Sequence, residues 1–156
     1  MHVQILDAIS DASAWRRVLG RLPSPMQDVY FWPDYVALHR FQAESRALMF
    51  TYQRSGQIWV YPFLLNPIFH VGGHVLDQTW FDVETPHGYG GPLASTDDGD
   101  FLSDAHAAFT EWCGSTGVVA ELVRLHPLLE NQRWLDPQVD VEHDRETVSV
   151  CLADLV

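Results

Sequence analysis

Two segments carry the residue types that could do chemistry. DVETPHGYGGP at residues 82–92 joins carboxylates to a run of glycines, and ELVRLHPLLEN at residues 121–131 supplies Glu121, Arg124 and His126. A glycine-rich loop that leaves a strand ahead of a helix can hold a ligand phosphate on free backbone N–H groups. Alternation along residues 118–125 puts Glu121 on the face shared by Val119, Val123 and Leu125. A carboxylate on an apolar face is desolvated and its pKa rises, as a general base requires. The structural alternative is a rim carboxylate paired with an arginine from a neighbouring helix. Arg124 and His126 lie at a strand-to-helix corner, where an arginine can hold a phosphate or carboxylate bidentately or simply bond nearby carbonyls.

The elements that must position these groups follow from periodicity and punctuation. Residues 3–6 read as a strand, and a helix opens at residues 10–13, carries Trp15, Val18, Leu19 and Leu22 at helical spacing, and stops at Pro23. Pro33 and Asp34 suit the first turn of a second helix through Phe41. Residues 46–53 and 57–65 are rich in β-branched and aromatic side chains, and Arg54-Ser55-Gly56 between them predicts a tight hairpin. A further strand covers residues 75–83. Asp97 and Asp98 then cap a helix through Cys113, ended by Gly114 and Gly117. Residues 118–125 form a strand, 127–134 a short helix, and 139–142 with 147–152 a closing strand pair.

Composition bounds the function. The chain of 156 residues with 47% hydrophobic content is long enough for one core, so a single domain spanning 1–156 is expected. Nine basic residues, all arginine, against 21 acidic ones leave a net charge of −12. Nucleic-acid binding depends on cations that neutralise phosphates, so it is not expected of this chain alone. Cys113 and Cys151 lack metal-ligand spacing and read as buried, reduced thiols with no nucleophilic role. His70, His74, Asp77, Asp82 and His87 are the densest set of potential metal ligands, but Gly72 and Gly73 break any helical spacing, and no metal is expected. The N-terminus has no basic leader, and no stretch approaches the about 18–20 apolar residues of a membrane span, so a cytoplasmic protein is expected.

The predicted order, β-α-α-β-β-β-α-β-α-β-β, resembles the acyltransferase fold of the GNAT superfamily: α/β (α+β), with a mixed, mostly antiparallel sheet flanked by helices. TPHGYGGP at residues 85–92, VRLHPLLEN at 123–131 and ETVSVCL at 146–152 are similar to the first half of FemAB-type proteins, aminoacyl- and acyltransferases built from two GNAT-like halves. The resemblance covers nearly the whole chain. It implies the acceptor-side half of a transferase that takes a small-molecule or peptide amine, with acyl-CoA or aminoacyl-tRNA as the family's donor. It also implies a second GNAT-like half or a homodimer partner, since the chain ends on an apolar strand where such proteins continue.

The loop departs from the GNAT pyrophosphate pattern. Gly88 and Gly90 match its Gly-x-Gly, but the leading Arg or Gln is Thr85 here. Asp97, Asp98, Asp100 and Asp104 crowd the entry of the next helix, where they repel a polyanion, and no cation lies between Asp77 and Asp104 to offset them. No cofactor is therefore expected on this chain itself. The resemblance instead places Tyr89, Gly90, Gly91 and Pro92 at an acceptor cleft, and makes Asp97 or Asp98 the nearest match to the family's acidic residue. The simpler reading of Asp97 is a helix N-cap. The other functional class is a non-catalytic GNAT-like binding module acting through self-association or a partner.

Overall fold

The computed structural model describes residues 1–144 and 146–149. Strands β1 (His2–Asp7), β2 (Arg46–Arg54), β3 (Gln57–Val71), β4 (His74–Glu84), β5 (Leu93–Ala94) and β6 (Val118–Leu122) make one sheet. Its order is β1-β2-β3-β4-β6, with β5 paired to β3 off that path. All pairings are antiparallel except β4 with β6, which run parallel. The helices are α1 (Ala12–Leu19), α2 (Pro33–Leu38) and α3 (Gly99–Thr116), with single 3-10 turns at Ser24–Met26, Val29–Phe31 and Asn131–Trp134. The fold is thus a mixed α/β structure with a mostly antiparallel open sheet and few helices.

The β2–β3 hairpin turns where the sequence predicts, with Ser55 and Gly56 both at positive φ, the geometry of turns that match strand twist. Register then puts Leu48 opposite Phe63, Phe50 opposite Tyr61 and Tyr52 opposite Trp59. These side chains share one face, and α3 lays Phe109 across it, 5.3 Å from Phe50 and 5.2 Å from Tyr61 between ring centroids. The alternate set, including Met49, Val60 and Leu64, is buried as well, and α2 packs against β2 and β3. Central strands covered on both faces read as continuous apolar runs, and this one does.

Several boundaries differ from expectation. β3 continues past residue 65 to Val71 because β4 pairs with it as far as the Gly72–Gly73 turn. Gly114 lies inside α3, and Gly117 alone ends it, at φ 84°. The helix predicted over residues 127–134 is a turn followed by the 3-10 turn Asn131–Trp134. Residues 139–142 are not a strand, and neither are 147–149; the rest of the predicted closing strand, with Cys151, lies outside the described residues. β5 was not expected, since two residues carry no periodicity. Among the described residues no helix is long and apolar enough to cross a membrane.

Candidate functional site

The glycine loop and the 121–131 segment do come together. Thr85 N–H donates to the Leu122 carbonyl at 3.1 Å, and Gly90 N–H to the Arg124 carbonyl at 2.7 Å. Thr85 Oγ1 accepts from Arg124 N–H at 2.9 Å. Asn131, fully buried, closes the assembly: Nδ2 donates to the Gly90 carbonyl at 2.8 Å and the Pro92 carbonyl at 3.2 Å, while Oδ1 accepts from His126 N–H at 2.9 Å. The loop is also packed from the side. A Cβ on Gly88 would lie 2.7 Å from Tyr30, one on Gly90 2.9 Å from Thr85, and one on Gly91 2.8 Å from Asn131 Nδ2. The glycines therefore admit protein neighbours, and the Gly90 amide is already spent inside the fold.

Around this node the structure gathers Tyr89 and His126, both singled out by sequence, with Tyr30, which no motif indicated. Tyr30 contacts Tyr89 at 5.3 Å and His126 at 5.8 Å, and Tyr89 lies 5.7 Å from His126, all edge-on. Tyr35 adds a second edge-on contact to Tyr30 at 5.1 Å and donates its hydroxyl to the His87 carbonyl at 2.8 Å. His126 is buried, and its Nδ1 accepts from Leu128 N–H at 3.3 Å, which puts the proton on Nε2, 3.8 Å from Asp28. Burial pushes the His126 pKa down, with Asp28 opposing. Arg124 does not join this group; it is exposed and pairs with Glu84 at 2.9 Å.

A depressed histidine pKa means that the neutral form stabilises the fold above the ordinary histidine range, about 6.5, and that this contribution is lost as pH falls through the lower folded value. Wild type should therefore hold its full stability advantage over His126→Gln near pH 7.5 and lose part of it by pH 5. Urea denaturation at both pH values measures this; an advantage that grows on acidification would contradict the assignment.

The aspartates after the loop have separate structural duties. Asp98, not Asp97, caps α3 by accepting from Phe101 N–H at 3.0 Å. Asp97 accepts from Trp134 Nε1 at 2.7 Å and lies 3.6 Å from Arg133. Asp104 pairs with Arg54. Cations distant in sequence thus reach a region that the local pattern leaves purely acidic.

Glu121 sits opposite Val83, next to an irregularity in which the β6 partner advances from Val118 to Ala120 as β4 advances one residue. That bulge breaks the strict alternation, and Val119 is 59% exposed instead of lying on an apolar face. Glu121 is exposed as a residue, yet burial of its carboxyl raises its pKa while Tyr61 opposes. The two facts agree if the stem is open at the sheet edge and the carboxyl turns inward. No arginine pairs with it among the described residues.

Glu121 lines a cavity of about 190 Å³ with Trp59, Tyr61, His106, Phe109 and Asp136. Tyr61 Oη and His106 Nε2 are buried there and make no hydrogen bond of good geometry among the described residues, the Tyr61 hydroxyl facing the Glu121 carboxyl. Burial pushes the Tyr61 pKa up, and the facing Glu121 carboxylate adds to it through its charge and through hydrogen bonding to the phenol. Each such orphan costs about 1–3 kcal/mol if nothing completes it. Neither was evident in sequence, where Tyr61 alternates with Trp59 and Phe63 as core and His106 sits on an apolar helix face. A larger recess of about 350 Å³ near Asp7, Asp11 and Arg46 has its polar groups engaged: Asp11 accepts from Asp7 N–H at 3.0 Å, and Arg46 lies 3.6 Å from Asp7.

Cys113 is a free, half-buried thiol pushed up to about 12 by burial and then by Glu121, so it stays protonated at neutral pH. Among the described residues no three His, Cys, Asp or Glu side chains converge to hold a metal. Compared with known proteins, the chain matches no family model, no curated protein and no solved structure.

Proposed function

We propose that this chain is the acceptor-side half of an acyl- or aminoacyl-transferase with a GNAT-like, FemAB-resembling fold, and that the acyl carrier is bound by a second half or a partner. The observation that carries the reading is the closed state of the glycine loop: the Gly90 amide and the Gly90 and Pro92 carbonyls are bonded within the fold. A pyrophosphate site needs backbone N–H groups free to donate to it, and the Gly90 N–H already donates to Arg124. The parallel β4–β6 pair within an antiparallel sheet supports the fold comparison. Glu121, with its raised pKa, is suited to take the proton from an amine as nitrogen attacks the acyl carbon.

Calorimetric titration should give no saturable heat with acetyl-CoA up to millimolar concentration. Micromolar binding would overturn the reading. With the donor-binding partner supplied, transfer left unchanged by Glu121→Gln would remove the base assignment.

A second reading, a non-catalytic module that associates with itself or a partner, is favoured by the edge strand β6, where Val119 and Leu122 are 59% and 54% exposed. Open edges bearing apolar side chains are normally covered. Light scattering that returns twice the mass of one chain, reduced to one chain by Leu122→Lys, would support self-association; a clean monomer at about 100 μM would end that form of it.

A further inference from the structure

The cavity beneath residues 135–139 has walls of two kinds. Trp59 and Phe109 present aromatic surface, while Glu121 and Asp136 bring negative charge, and no arginine lines it. Tyr61 is 1% exposed and His106 6% exposed; His106 Nε2 makes no hydrogen bond among the described residues, and Tyr61 Oη, which faces the Glu121 carboxyl, makes none of good geometry and keeps a lone pair free to accept. Buried polar atoms in native proteins are rarely left unpaired unless water or a ligand completes them. At about 190 Å³ the cavity exceeds the ~30 Å³ share of one water several-fold and falls below the roughly 300–1,000 Å³ of sites for drug-sized molecules.

We propose that this cavity is a binding site for a small primary alkylammonium ion. Three N–H donors on a tetrahedral nitrogen suit three acceptors of different kinds, the Tyr61 hydroxyl oxygen, the His106 Nε2 lone pair and the Glu121 carboxylate. The alkyl carbons would lie against Trp59 and Phe109, whose rings also favour a cation. Burial holds the His106 pKa down, against Asp136 and the Leu135 backbone, so the imidazole is neutral, and with its proton on Nδ1 the Nε2 can accept. A carboxylate whose charge is disfavoured by burial regains a counterion when an ammonium arrives. The site does not require transfer chemistry, since a binding module would use the same cavity.

The test is calorimetric titration of the full chain with butylammonium chloride in sodium phosphate, with no acyl donor present, so its outcome is separate from the acetyl-CoA result. Saturable binding is expected, with tetramethylammonium and butyrate at least tenfold weaker, since the first lacks N–H donors and the second has the wrong charge. Tyr61→Phe and Glu121→Gln should each weaken butylammonium at least tenfold. Both substitutions are nearly isosteric, and thermal melting of each variant separates lost binding from lost fold. Absence of saturable binding to wild type by about 50 mM, equal binding of butyrate, or affinity within twofold of wild type in Glu121→Gln would overturn the proposal.

Discussion

Replacing Asn131 with alanine should lower the unfolding free energy by about 3–4 kcal/mol, the combined effect of three buried backbone groups losing their partner. The side chain is wholly buried and bonds the Gly90 and Pro92 carbonyls and the His126 amide. These groups belong to loops that no ladder satisfies, and Asn131 is wholly buried over them. For a chain of this size the melting temperature should fall by about 10 °C. Asn131→Asp separates donors from packing: it keeps the volume and the His126 bond but turns a carboxylate oxygen toward two carbonyls. It should lose at least as much as alanine. A loss under about 1 kcal/mol for either variant, by urea denaturation, would show that the node does not hold the loop.

Gly91→Ala should cost a comparable amount, about 3 kcal/mol, for a different reason. Gly91 has φ +94°, and an added Cβ would meet Asn131 Nδ2 at 2.8 Å and Leu125 Cδ2 at 2.9 Å. The backbone conformation contributes about 1–2 kcal/mol of strain for an L side chain, and the overpacking a further 1–3 kcal/mol. Because one clash is with Asn131 itself, the Gly91→Ala, Asn131→Ala double variant should lose less than the sum of the singles by more than about 0.5 kcal/mol. Strict additivity would mean that the two residues act separately and would contradict the shared node.

These two positions show how far the sequence reaches. Tyr89, Gly90, Gly91, Pro92, Arg124 and His126 stand out in two segments of the sequence, and the fold brings those segments together at the Gly90–Leu125 bridge while Arg124 turns away to Glu84. Their use was not legible. The glycines invite a phosphate in sequence because nothing local occupies the space beside them; in the fold, Tyr30, Thr85 and Asn131 occupy it. The electrostatic argument was incomplete for the same reason. Asp97 and Asp104 appear unopposed among their sequence neighbours, yet Arg133 and Arg54 reach them from other elements. For Glu121, a raised pKa followed from a strand of alternating pattern, and the direction agrees. The pattern itself fails at Val119, where a bulge adds a residue that periodicity cannot signal.

The sequence by itself determined the parts whose cause is local. The β2–β3 hairpin follows from Ser55 and Gly56, the start of α2 from Pro33, the start of α3 from Asp98 and its end from Gly117. Backbone preference and side-chain period act over a few residues, so a few residues suffice to read them. Tertiary structure alone decided that Asn131 would fill the hydrogen bonds of a loop 39–41 residues away, and that Tyr61, His106 and Glu121 would share one cavity. A hydroxyl on β3 and an imidazole on α3 are ordinary core choices in their own elements. They come to share one cavity with Glu121 only when sheet and helix pack together.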